Sequence, residues 1–115
     1  MTELRAKRFN ELIKEELGKI IFDFLEVKSG ILVTITRVHT AMDLFTAAVF
    51  VSIYPDREAE EIFNTLNRFI YQIQQILNKK LKVRPVPKII FRRDKNPEEA
   101  SEVESMLKEI KEKEV

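Results

Sequence analysis

The sequence has no cysteine and no tryptophan, and its 115 residues include only two glycines, four prolines and one histidine. Without cysteine there is no disulfide, no thiolate metal ligand and no cysteine nucleophile. A single imidazole, His39, leaves little for a histidine metal site. Gly18 and Gly30 stand twelve residues apart, so neither a glycine-rich phosphate loop nor a dinucleotide fingerprint can be assembled from them. No apolar run nears the ~18–20 residues that span a bilayer, and Met1-Thr2-Glu3-Leu4-Arg5 lacks the apolar stretch of a signal peptide. The expected location is therefore the cytoplasm. Catalysis needs a nucleophile, a tuned acid or base, a metal or a cofactor cradle, and His39, near a strand end, is the one conceivable base. A lone histidine is more often a hydrogen-bonded or surface residue. The expectation is a protein that is not an enzyme, with no catalytic residue, no cofactor, no metal and no small-molecule substrate.

What the sequence does contain is enough apolar material for one core, at 44% hydrophobic residues, together with 34% charged residues. Its length suits one domain, and the near-neutral total of +1 conceals an asymmetry. Residues 1–93 carry 16 Lys and Arg against 11 Asp and Glu, a balance of +5, whereas residues 94–115 carry 4 against 8, a balance of −4. Within the basic part, the stretch from Lys79 to Arg93 holds seven cations (Lys79, Lys80, Lys82, Arg84, Lys88, Arg92, Arg93) and no acid. Such a cluster attracts phosphates; as a surface feature it is equally a solvated charged face.

Phe9, Leu12, Ile13, Leu17, Ile20, Ile21 and Phe24 recur at steps of three and four, which predicts an amphipathic helix over residues 4–24. Gly18 inside it marks either close approach to another element or ordinary tolerance of a glycine in a helix. Lys28-Ser29-Gly30 reads as a turn, and Ile31 to Thr36 as a strand rich in β-branched residues. After a connection at Thr40–Asp43, a second strand alternates Phe45, Ala47, Val49, Val51 and Ile53, facing the helices, with Thr46, Ala48, Phe50, Ser52 and Tyr54 on the other side. Pro55 ends that strand and Asp56 is placed to cap a helix starting near Arg57. Apolar positions then continue without phase break to Leu81. As one helix these 25 residues would span about 37 Å, longer than the ~27–34 Å of the strands beneath, so a break is expected between Asn67 and Gln72, held by burial of Phe69 and Ile70 on the sheet. Val86 to Phe91 reads as a third strand, with Pro87 near its start or on an edge. Asn96-Pro97-Glu98-Glu99 opens a last helix with a stripe of Val103, Met106, Leu107 and Ile110.

Several segments together resemble the ribosome-binding factor A family, which assists maturation of the bacterial small ribosomal subunit. They are Arg8-Phe9 with Ile13-Lys14-Glu15-Glu16-Leu17; Val33-Thr34-Ile35-Thr36-Arg37-Val38; Asp43-Leu44 with Ala47 and Val49-Phe50-Val51-Ser52; and Arg84-Pro85-Val86-Pro87-Lys88-Ile89-Ile90-Phe91 with Asp94. They keep the family's order and near spacing across about residues 8–94. The resemblance implies an α+β fold, a single KH-like domain of type II topology (α-β-β-α-α-β), here with an additional C-terminal helix. It also implies a non-enzymatic factor that binds the immature small (30S) subunit and its 16S ribosomal RNA late in assembly and acts by occupancy. Two family features are absent: the Ala-x-Gly kink falls at Phe69-Ile70-Tyr71, and the Asp-Pro-Arg segment after the first helix is Val27-Lys28-Ser29. Carry-over of RNA contacts by matched position rests chiefly on Arg8, Arg37 and Arg84.

The division expected is a KH-like RNA-binding domain over residues 1–94 and an acidic helical tail over residues 95–115. The RNA-contacting residues expected are Arg5, Lys7, Arg8, Arg37, Lys79, Lys80, Lys82, Arg84, Arg92 and Arg93, each a phosphate contact that positions without reading sequence. The partners expected are the small subunit and 16S rRNA, with no membrane, the chain itself acting as a monomer. Two alternatives remain open: a KH-like RNA-binding module of another pathway, and a protein-interaction or dimerisation module using a strand edge and the apolar terminal helix. Phe50 and Tyr54 are placed either to stack bases or to be covered by the terminal helix, and the acidic tail either packs on the domain and screens its basic surface or stands as a solvated helix.

Overall fold

A computed structural model describes residues 2–25 and 30–94. The Lys28-Ser29 part of the expected turn and the whole C-terminal helix lie outside the described residues. The first helix, α1 (Thr2–Phe24), is followed by strands β1 (Leu32–Thr40) and β2 (Thr46–Tyr54), helices α2 (Asp56–Arg68) and α3 (Ile70–Lys80), and strand β3 (Lys88–Arg93). This is the order expected. The sheet runs β1-β2-β3, with β1 antiparallel and β3 parallel to β2. A parallel neighbour requires a crossover, and α2 and α3 supply it.

Helices α1, α2 and α3 all lie on one face of the sheet. On α1 the three-four spacing buries Ala6, Phe9, Ile13, Leu17, Ile20 and Ile21. They meet Ala47, Val49, Val51 and Ile53 from β2, Ile89 and Phe91 from β3, and Leu66, Ile73 and Leu77 from the crossover helices in one continuous core. No helix among the described residues is long and apolar enough to cross a membrane.

Several local expectations are corrected or decided. Phe45 does not face the helices; it is 69% exposed, and its neighbour Leu44 is buried instead. The turn decides this: Leu44 donates its N–H to the Ala41 carbonyl at a φ of 65°, and Phe45 donates to the Asp43 carboxylate, which rotates the chain by one residue before β2 begins. Asp56 does not cap α2. Pro55 occupies the N-cap without a side-chain bond, and Asp56 is the first helical residue. Gly18 is not held to glycine by a close approach, since a Cβ there would meet nothing within 4 Å. The break between α2 and α3 occurs, at Phe69 with φ −105° and ψ 17°, but sheet burial of Phe69 and Ile70 does not hold it. Both are only partly buried, and the Phe69 ring meets Phe24 of α1 edge-on, 5.2 Å between centroids. A φ of −105° is open to any L-residue, which explains how a bend forms here without the glycine.

β3 begins two residues later than expected, at Lys88, with Pro87 fully buried ahead of it. Its outer edge is closed by a side chain. Gln74 of α3 accepts the Ile89 N–H at 2.9 Å and donates to the Pro87 carbonyl at 3.1 Å, so one amide substitutes for a missing strand.

Candidate nucleic-acid interface

α1 and α3 run antiparallel. Phe24, at the end of α1, touches Phe69, ahead of α3, while Arg5, Arg8 and Phe9 near the start of α1 share a groove with Val83 and Arg84 beyond the end of α3. This packing brings two distant basic segments to one end of the helical layer. Arg5 and Arg8 lie one turn apart on α1 and are exposed; Lys79 and Lys80 occupy the last turn of α3, and Lys82 and Arg84 the chain just beyond, all exposed as well. Cations in a last helical turn complement the negative end of the dipole and hold their heads out in water.

Arg84 is bonded back to its own segment of chain. Its guanidinium donates to the Leu81 carbonyl at 2.9 Å and the Val83 carbonyl at 2.8 Å, folding the chain after α3 into a bend with the arginine at its tip. The groove beside it is lined by Phe9 and Val83 together with Arg5, Arg8 and Arg84, a basic and partly apolar concavity of the kind that suits a phosphodiester backbone with its sugar.

The other expected residues are placed elsewhere. Lys7 is on the opposite flank of α1, beside Asn10, His39 and Thr40. Arg37 and Arg92 stand on the outer face of the sheet, the side opposite α1, α2 and α3, and both are paired in register with Phe50 of β2. A β-bulge at Thr36 is the cause for Arg37. Strict alternation from Val33 and Ile35 would turn residue 37 inward, and the extra residue restores Val38 and Thr40 to the core and turns Arg37 out, its guanidinium 3.9 Å from the Phe50 ring centroid. The signal for the bulge was present in the spacing, because the apolar positions step from 33 and 35 to 38. Arg93 points back toward the helices and reaches Asp56 at 3.4 Å, which offsets its charge locally. The ten residues thus form one cluster at the end of the helical layer, one pair on the outer sheet face, and two separate positions.

These features define a class, a small α+β domain with helices on one face of a three-stranded sheet and a cationic end to its helical layer. The comparisons with known proteins narrow it. The family model for ribosome-binding factor A matches residues 5–107. A ribosome-binding factor A of Halothermothrix orenii is 33% identical over 115 residues, covering 99% of this chain and 94% of that protein. The crystal structure of ribosome-binding factor A from Thermus thermophilus superposes with a TM-score of 0.66 at 18% identity, over 76% of this chain and 94% of that one. A homology model of the Thermus thermophilus factor, fitted into a cryo-electron microscopy map of its complex with the 30S subunit, gives 0.61 at 21% identity, over 70% and 86%. The chain belongs to the ribosome-binding factor A family.

Proposed function

We propose that this protein is a non-catalytic assembly factor that docks on the immature small ribosomal subunit through the cationic end of its helical layer, contacts 16S rRNA there, and assists late maturation by occupancy. The observation that carries this reading is the meeting of Arg5, Arg8 and Arg84 around one groove, with Lys79 and Lys80 in the last turn of α3 and Lys82 between that helix and Arg84. The fitted 30S complex of the Thermus thermophilus relative supports the choice of partner. Phosphate contacts of this kind position a protein on a folded RNA without reading bases, as a factor that screens an RNA conformation requires. In this reading residues 1–94 are the binding domain, and the chain works as a monomer in the cytoplasm.

Gradient fractionation of cell extract tests it. The protein is expected to comigrate with small subunits and not with mature ribosomes, and the Lys79→Gln, Lys80→Gln, Lys82→Gln variant to shift to the top of the gradient while keeping its fold by circular dichroism. A native protein that stays at the top of the gradient, or a triple variant that still comigrates fully, would contradict it.

A further inference from the structure

The outer face of the sheet carries its own charge and its own apolar surface. Arg37 and Arg92 flank Phe50 in one row across the three strands, and Lys88 lies further along β3. Leu32, Tyr54 and Ile90 are exposed on the same side, at 62%, 67% and 37%. Apart from Asp94 at its margin, no carboxylate belongs to that face among the described residues.

Asp94 is the last described residue and is tied to that face. Its backbone N–H donates to the Val51 carbonyl, and its carboxylate accepts a hydrogen bond from the Thr36 hydroxyl. Thr36 is on β1 and Asp94 follows β3, so the side chain reaches over β2 from one edge strand to the other on the outer side. The last described residue is therefore held against the outer face of the sheet.

Residues 95–115 carry 4 Lys against 7 Glu, a balance of −3. Their sequence pattern sets Val103, Met106, Leu107 and Ile110 on one stripe, with Glu98, Glu99, Glu102 and Glu104 ahead of or beside it. Seventeen residues from Pro97 to Lys113 in helical form would span about 25 Å, against the roughly 30 Å of a nine-residue strand. Length, sign of charge and apolar content all match the face that Asp94 aims at.

We propose that residues 95–115 fold back as an intramolecular cover on the outer sheet face, their apolar stripe against Phe50, Tyr54 and Ile90 and their glutamates toward Arg37, Arg92 and Lys88. The proposal stands apart from the functional reading above, because the groove at the end of the helical layer lies on the other side of the sheet. It assigns Arg37 and Arg92 to the chain's own tail rather than to RNA.

Because the chain has no cysteine, a single nitroxide can be placed at Ser105→Cys, on the side of the pattern away from the stripe, in the full-length protein. Paramagnetic broadening is expected to remove most of the amide signal of Thr34, Ala48 and Ile90 while leaving Arg5, Arg8 and Lys80 near full intensity, and the added substitutions Arg37→Glu and Arg92→Glu should restore it. Broadening confined to the helical layer, or none on the sheet, would overturn the proposal. So would broadening transferred from spin-labelled protein to an unlabelled, isotopically enriched copy, which would show docking on a second molecule.

Discussion

Leu44 combines a left-handed backbone, at φ 65°, with a side chain only 8% exposed. The conformation costs a residue with a Cβ roughly 1–2 kcal/mol, and burial of the leucine offsets it. Leu44→Ala loses the burial and keeps the strain, so a loss of about 2–3 kcal/mol is expected by denaturant unfolding. Leu44→Gly loses the same side chain but relieves the strain, and should be no less stable than the alanine variant. Glycine ordinarily falls ~0.5–1 kcal/mol below alanine in regular structure, so a glycine variant clearly weaker than alanine would show that the backbone there is unstrained. Thr40 presents the opposite case, a good backbone with a costly side chain. Its N–H donates to the Asn10 side-chain oxygen at 2.7 Å, but its buried hydroxyl has no hydrogen-bond partner among the described residues. Thr40→Val keeps the shape and the backbone bond while removing the orphaned oxygen, for an expected gain of about 1 kcal/mol. Thermal melting should rise by roughly 4–8 °C for a domain of this size, and an unchanged or lower midpoint would mean the hydroxyl is satisfied in solution. Neither residue was legible as special beforehand. Leu44 and Phe45 are adjacent apolar residues, and only the turn's dihedral angles decide which one enters the core.

Legibility improves with the length of an element, for a physical reason. Over the 23 residues of α1, an error in helical phase would turn a charged residue into the core, so the periodic pattern admits one solution. In the crossover the pattern was equally regular and yet incomplete, because Ile62, Leu66, Phe69, Ile73 and Leu77 keep the same phase whether or not the backbone bends between them. The break was readable only from the mismatch between a rod of about 37 Å and the sheet it must cover. Asp56 looks like a cap in the sequence, but the residue before it, Pro55, takes the extended N-cap conformation itself, at φ −80° and ψ 161°. Gln74 gave no sign at all, since a glutamine on a helix looks like any solvated polar residue until the edge of β3 lies beside it. For Gly18 the sequence leaves close approach and ordinary tolerance equally open, and the structure selects the second, an unfilled position on an exposed helix surface. Gly18→Ala should therefore stabilise the protein by about 1 kcal/mol through helix propensity alone. A fall in unfolding midpoint would reveal a neighbour against that side of α1.

Across the whole molecule, positive charge is divided between two surfaces on opposite sides of the sheet. The run from Lys79 to Arg93 appeared as one cluster along the sequence, but the chain turns between Arg84 and Lys88 and carries the later cations into β3, where Arg92 faces outward and Arg93 pairs with Asp56. What sequence alone could not show is that Arg5 and Arg8 join the first half of that run, because this depends on the antiparallel packing of α1 and α3. The division makes a test with two arms. If RNA is held at the end of the helical layer, neutralising Lys79, Lys80 and Lys82 together should weaken binding across RNA sequences and flatten the salt dependence. Each lost contact to a single strand is worth about 0.7 in the slope of log K against log salt, so the triple variant should lose roughly 2. Arg37→Gln with Arg92→Gln removes nearly as much charge from the molecule, but from the other face. If those two arginines serve the tail, that pair should leave the slope unchanged, whereas a loss of about 1.4 in the slope would place RNA on the sheet as well. Comparing slopes rather than affinities separates the arms, because a general change in net charge alters binding by long-range attraction, whereas the slope counts the phosphates actually neutralised.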